Sequence, residues 1–213
     1  MLHHEREIFD TDLLCAILDM IDTVHVGIHD EVYPYVVPLS FGYRMDEDNL
    51  IIYLHCARKG YKLMLMEKNP HLCCTFSAFS NFPKKIYKGH RHDFRSVMAF
   101  GVARKVSPQS EPLEFAQGIR ALLQHYDRIP APGEQRGFPN FNIHQLPHLY
   151  LIRVECPRSQ VFGKSEFPVR TLEDVPFKDV YNLPDDDTEY DIADLEQRPK
   201  RFSPYDIYEK GGS

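Results

Sequence analysis

The sequence predicts a mainly β protein: a small antiparallel barrel of about six strands, with a few helices covering its ends. Three observations predict it. Short β-branched and aromatic runs recur at hairpin spacing, separated by polar turns. Apolar residues take a helical spacing in only a few stretches. The longest apolar run carries Gly101 in its middle, which marks a bulge or a barrel bend.

The elements follow in order. Asp10 or Thr11 can cap a helix, and Leu13, Leu14, Ile17, Leu18 and Ile21 then recur at helical spacing, so residues 11–21 are a helix. From Thr23 to His29, Val24, Val26 and Ile28 alternate with His25, Gly27 and His29, a half-buried strand. Asp30 and Glu31 turn it into a second strand at 33–43. Pro34 and Pro38 donate nothing to a ladder, so that strand is irregular or at an edge, and its backbone is partly free. A polar turn at 45–49 leads to a third strand from Leu50 to His55. Tyr61–Lys68 is a short helix stopped by Asn69-Pro70, and Leu72–Phe79 is the fourth strand. Residues 80–91 read as a basic loop with Lys84, Lys85, Lys88, His90 and Arg91. Arg95–Val106 is the long fifth strand. Glu111–Tyr126 is a helix with Phe115, Ile119, Leu122 and Leu123 on one face. Residues 128–145, rich in Pro, Gly and Asn and holding Phe138 and Phe141, are too long for a bare connector and read as a functional loop or a lid. Leu149–Cys156 is the sixth strand, and Val161–Lys164 extends it past Pro157.

Composition turns acidic and proline-bearing after Phe167. Residues 1–166 therefore form one domain, and 167–213 an extension: an arm, or a partly disordered tail. The 213 residues are 43% hydrophobic, enough for one core. A net charge of −6 argues against wholesale nucleic-acid binding. The N-terminus has no signal-like apolar core, and no run approaches the ~18 apolar residues of a membrane span. Five cysteines, with Cys73 and Cys74 adjacent, do not suit a disulfide framework; reduced thiols and a cytoplasmic protein are expected.

One stretch carries chemistry. Arg58, Lys59 and Lys62 surround Gly60 at a strand-to-helix junction. Cations at a helix start oppose the macrodipole, and a bound phosphate would offset that. A proline-broken strand beside a phosphate seat fits a planar phosphorylated cofactor. His55 closes the apolar strand just before the seat. Three roles are open to it: a core imidazole bonded to a carbonyl, a contact with cofactor or substrate, or a catalytic proton donor, since imidazole titrates near neutrality. Arg95 and Ser96 enter the long strand as a guanidinium and a hydroxyl that could face one ligand. His90-Arg91-His92 has no Cys or carboxylate at finger spacing, so no metal is expected. Cys73 and Cys74 beside His71 read as packing. His144 and His148, flanking Pro147, read as exposed. There is no Gly-x-Ser-x-Gly, Gly-x-Gly-x-x-Gly or Walker sequence.

The ordered set Pro34–Tyr43, Leu54-His-Cys-Ala-Arg-Lys-Gly-Tyr-Lys62, Asn69-Pro70 and Arg95–Gly101 resembles the nitroimidazole-resistance branch of the pyridoxamine 5'-phosphate oxidase-like flavoproteins, over roughly residues 5–165. The resemblance implies a split β-barrel that forms a homodimer, with FMN at the subunit interface. It places Val36, Val37, Pro38, Leu39 and Ser40 along the isoalloxazine. It matches His55, Ala57, Gly60 and Lys62 to a His-x-Ala-x-x-Gly-x-Lys pattern. Arg58 and Lys59 resemble a Ser-Arg-Lys phosphate clamp with Ala57 in the serine's place, and Ser96 and Val97 match a phosphate-side Ser-Val. The oxidases' Arg and Lys on the strand that here runs Tyr35–Ser40 are missing, as are their substrate-phosphate residues near the C-terminus. This disfavours vitamin B6 oxidation. The expected function is an FMN-dependent oxidoreductase reducing a small planar acceptor such as a nitro-aromatic, with His55 in the pocket. The alternatives are a flavin or haem carrier without turnover, and a pyridoxamine phosphate oxidase.

Overall fold

A computed structural model describes residues 4–80, 84–86, 89–128 and 149–178. Apart from His4 they belong to one compact unit, Glu5–Tyr181. The expected loop at 128–145, His144, His148 and the chain beyond 178 lie outside the described residues.

The order is β1 (Glu7–Ile8), α1 (Thr11–Asp19), β2 (Thr23–Ile28), β3 (Tyr35–Met45), β4 (Asn49–Ala57), α2 (Tyr61–Lys68), β5 (His71–Phe79), β6 (Lys84–Ile86), β7 (Gly89–Arg91), β8 (Phe94–Val106), α3 (Pro112–Arg128), β9 (Leu149–Pro157) and β10 (Val161–Ser165). Asp10 caps α1, accepting from the Leu13 N–H at 3.0 Å. The main sheet runs β1-β10-β8-β5-β2-β3-β4-β9, and a further β8–β9 pairing joins its ends. Strands β8, β5, β2, β3, β4 and β9 therefore close into the expected antiparallel barrel, with β1 and β10 outside it.

Alternation fills the interior. Val24, Val26, Phe41, Leu50, Ile52, Leu54, Cys74, Phe76, Val97, Ala99 and Val154 are all buried in one cluster, joined by Leu14, Ile17 and Leu18 of α1. A second cluster forms where α3 lies on the outer face of β4 and β9, through Ile51, Tyr53, Phe115, Leu122 and Leu151. The Tyr53 hydroxyl donates to Glu114 on α3 at 2.7 Å, and Arg153 pairs with the same carboxylate at 3.1 Å. Helix and sheet meet closely because β3 carries Gly42 there. A Cβ at that position would sit 2.3 Å from the Leu122 nitrogen.

The structure departs from the sequence-based expectations in four places. The basic loop at 80–91 holds a small hairpin, β6 against β7. Val161–Lys164 does not continue β9. Pro157 offers no N–H, a 3-10 turn at Arg158–Gln160 reverses the chain, and β10 pairs with β8 (Phe162 opposite Met98). Residues 167–178, expected to begin an extension, carry Phe167, Val169 and Val175 into buried positions. The fourth is Arg95, read from sequence as facing a ligand. It is 0% exposed and forms an ion pair with Asp93. It donates to the carbonyls of Val175 (3.1 Å), Asp174 (3.0 Å) and Phe94 (3.0 Å). Its guanidinium also lies 5.2 Å from the Phe177 ring centroid. It binds the chain to itself.

All five cysteines are free. Burial pushes the Cys156 thiol up to about 12 and Cys74 well above its ordinary value, so neither is a reactive thiolate. Among the described residues no helix is long and apolar enough to cross a membrane, and no group of three metal-binding side chains is gathered.

Candidate flavin site

Strand β3 changes partners halfway. Residues 35–40 pair with β2, from Ile28 opposite Tyr35 to Thr23 opposite Ser40. Its pairing with β4 begins only at Phe41 opposite Leu54 and runs to Met45 opposite Leu50. On the far side, His55, Cys56 and Ala57 of β4 pair with β9. The β-barrel is thus split between residues 35–40 and 55–57. The β4-facing edge of the first half of β3 has no strand partner among the described residues. Prolines at 34 and 38 suit such an edge, and its unpaired backbone groups are available to a ligand.

The predicted strip divides by strand parity. Val37 and Leu39 lean on the core, whereas Val36, Pro38 and Ser40 point outward, Val36 at 57% exposure. They share that outer surface with β2, β5, β8 and β10. One row across it reads Pro38, His25, Thr75, Met98, Phe162, and the next Val36, Gly27, Cys73, Phe100. His25, Met98 and Val36 are exposed, so a broad and largely uncharged face lies open.

The bend after β4 holds the cations. Arg58, Lys59 and Gly60 are exposed, and Lys62 is half-buried. Gly60 has φ 152° and ψ 160°, a backbone state essentially restricted to glycine, and nothing lies within 4 Å of where its Cβ would be. No side chain caps α2. Bare backbone, an uncapped helix start and three cations without an ion pair among the described residues fit a phosphate group. Ala57, in the serine's place, is exposed at the end of β4.

His55 lies on the outer side of β4, opposite Leu151, and is half-buried. Burial, and then the charge of Lys62, hold its imidazole below the usual range. The folded state therefore binds this proton less tightly than the unfolded chain. The stability His55 contributes is present above about pH 6.5 and is lost as pH falls through the lower folded value. An NMR titration should give a His55 midpoint below about 6.5, rising when inorganic phosphate neutralises Lys62. A midpoint at or above the free value would show that the ring is solvated.

Ser96 and Val97 sit elsewhere. Ser96 donates to the Lys164 carbonyl at 3.3 Å, and the Val97 side chain is buried in the core. The Lys105 ammonium lies 4.8 Å from the Tyr150 ring centroid, and the Arg58 guanidinium 5.5 Å from the same centroid. Ser96 is nine residues back along the strand that carries Lys105, roughly 25–30 Å at strand rise. A single chain therefore keeps Ser96 apart from the Arg58–Lys62 bend. Lys105 and Tyr150 were not identified from sequence. Each reads as an ordinary strand residue, and only the β8–β9–β4 pairing brings them to Arg58. A separate cleft of about 470 Å³ opens between α1, the end of β3 and α3, where Tyr43, Arg44 and Arg120 line it; it holds none of the predicted residues.

The pyridoxamine 5'-phosphate oxidase family model matches residues 10–142. A search of curated sequences finds no match. Among solved structures, a candidate 5-nitroimidazole antibiotic resistance protein of Bacteroides thetaiotaomicron is similar, with 24% identity, TM-score 0.58, and 75% of this chain and 86% of that one covered. The FAD- and haem-binding protein of Mycobacterium smegmatis has 16% identity, TM-score 0.56, and coverage of 80% and 78%. The flavocytochrome Anf3 of Azotobacter vinelandii has 20% identity, TM-score 0.56, and coverage of 98% and 94%. At these identities the structural likeness speaks for the fold, and the sequence match, which spans more than half of the chain, decides the relationship: the protein belongs to the pyridoxamine 5'-phosphate oxidase family.

Proposed function

We propose that the protein binds FMN between two copies of the chain and is an oxidoreductase that reduces a small planar acceptor. The observation that carries this is the partner change in β3. Among the described residues it leaves the edge of residues 35–40 without a strand partner, beside a glycine bend with three cations that form no ion pair. A planar ring with a phosphate tail needs both features.

Bound flavin would supply the electron transfer. The chain's own groups do the rest. Arg58, Lys59 and Lys62, with the bare N–H groups at the start of α2, hold the phosphate. The free edge of Val36–Ser40 orients the ring through its backbone, and Pro38 and Val36 keep water from its face. His55, neutral at pH 7, walls the acceptor pocket. Ser96 lies too far from the bend to serve its own chain's phosphate, so a second copy would bring it there. The exposed face containing Pro38, Met98 and Phe162 supports such a homodimer. The missing arginine and lysine between Tyr35 and Ser40 disfavour oxidation of a pyridoxine phosphate. The nitroimidazole-resistance neighbour favours a nitro-aromatic. Five cysteines without a disulfide support a cytoplasmic setting.

The test is the visible spectrum of protein purified without added cofactor, recorded with and without FMN and after dithionite, together with the solution mass. A dimer with a flavin spectrum that bleaches on reduction is expected. A Soret band alone would indicate a haem carrier, and a monomer carrying full flavin would end the shared-site reading.

A further inference from the structure

We infer that Lys105, seated on the ring of Tyr150, is an additional phosphate-binding and specificity-determining residue of the flavin site, and that Glu67 holds it in place until the phosphate arrives. The inference rests on the flavin reading above and adds residues from two further strands to it.

Lys105 and Arg58 are separated by 47 positions in sequence, yet both cations lie against one ring, at 4.8 and 5.5 Å from the Tyr150 centroid. They are therefore within about 10 Å of one another. Tyr150 is a firm platform. It stands opposite Cys56 in the β4–β9 ladder, and its side chain packs against the main core. Lys105 is fixed in turn by its place opposite Ile152. Lys62, four positions after Arg58 on α2, acts from the same end: burial raises the Cys56 thiol, and the charges of Lys62 and then Lys105 both oppose that rise. Four cations are thus gathered at one end of the barrel, in a chain whose net charge is −6.

Like charges repel, and this gathering has a single internal counterion. Among the described residues, Glu67 on α2 is the one carboxylate that forms an ion pair with any of the four, and it pairs with Lys105. Both members are solvated, at 40% and 60% side-chain exposure, so the pair is weak and replaceable. A phosphate ester carries nearly twice the charge of a carboxylate and has three acceptor oxygens, so it competes well for the ammonium. Tyr150 restricts where Lys105 can go once Glu67 releases it. Lys105 then reads the phosphate end of the ligand and ignores the ring end.

The experiment uses the full chain with FMN, riboflavin and inorganic phosphate as probes. Flavin affinities are measured by fluorescence, and phosphate protection by thermal shift. Lys105→Met should weaken FMN about tenfold, leave riboflavin unchanged and reduce the salt dependence of FMN binding. Glu67→Gln should tighten FMN a few-fold, and should lose that effect when Lys105 is already methionine. Unchanged FMN affinity in Lys105→Met, an equal loss for riboflavin, or the same Glu67→Gln effect in both backgrounds would overturn the inference. If the wild type binds neither flavin, the flavin reading fails on its own. Lys105-dependent protection by phosphate would then still sustain Lys105 as a phosphate-binding residue, and its absence would sink that as well.

Discussion

Arg95→Met should cost about 3–5 kcal/mol of folding stability and lower the melting temperature by roughly 10 °C. The substitution removes the guanidinium that pairs with the Asp93 carboxylate, which is 0% exposed. It also removes the donors to the Val175 and Asp174 carbonyls, which tie residues 174–175 to β8. Urea unfolding checks the prediction. The double change Arg95→Met with Asp93→Leu should recover part of the loss, because it removes the buried carboxylate along with its guanidinium partner. A single variant within 1 kcal/mol of wild type would mean that water or another cation takes over, and the clasp would lose its importance.

The second large effect is on ligand binding. Arg58→Ala combined with Lys62→Ala should weaken FMN at least a hundredfold and riboflavin little. Each charge-assisted bond is worth roughly 1.5–3 kcal/mol, about tenfold or more per cation. Stability should change little, since Arg58 is exposed and Lys62 only half-buried. Flavin fluorescence titration separates the two ligands. Equal losses for both would show that these cations do not hold a phosphate, even if the protein remains yellow.

The contrast between these two arginines shows what a sequence discloses. Arg58 sits in a local pattern: an apolar run, a histidine, cations and a glycine within eight residues. That pattern is short-range, and so is the physics of a helix start. Arg95 sits in an equally plain local pattern; Asp93 is two positions back, but the carbonyls of Asp174 and Val175 that complete its setting are 79 and 80 positions away. Nothing near residue 95 indicates that a guanidinium there will be buried. The strands of the barrel were legible for the same local reason. Val24, Val26 and Ile28 alternate, and Asn69-Pro70 stops a helix. Glu7–Ile8 is too short to show any period, and β10 was hidden because Pro157 and the 3-10 turn alter direction without altering composition. The partner change at Phe41 was half legible, since Pro34 and Pro38 announce an irregular edge but do not say where regular pairing resumes.

His125 was missed although a signal existed. It follows Leu122 by three positions on the apolar face of α3, where a polar residue reads as an interruption. In the structure it is buried, its Nε2 is 2.7 Å from the Ile21 carbonyl oxygen, and its ring stacks at 4.1 Å on Phe41. The Ile21 carbonyl gives one nitrogen of this buried imidazole a partner.

The join between β8 and β9 has a consequence for biosynthesis. The last barrel strand ends at Pro157, and the carbonyls that engage Arg95 come later still, at 174 and 175. A nascent chain leaving the ribosome therefore carries an open sheet until β9, Leu149–Pro157, has been made. At ordinary translation rates that interval lasts several seconds, with the β4 and β8 margins unsatisfied. A molecular chaperone that shields strand margins has its longest opportunity there, before the ring of strands shuts.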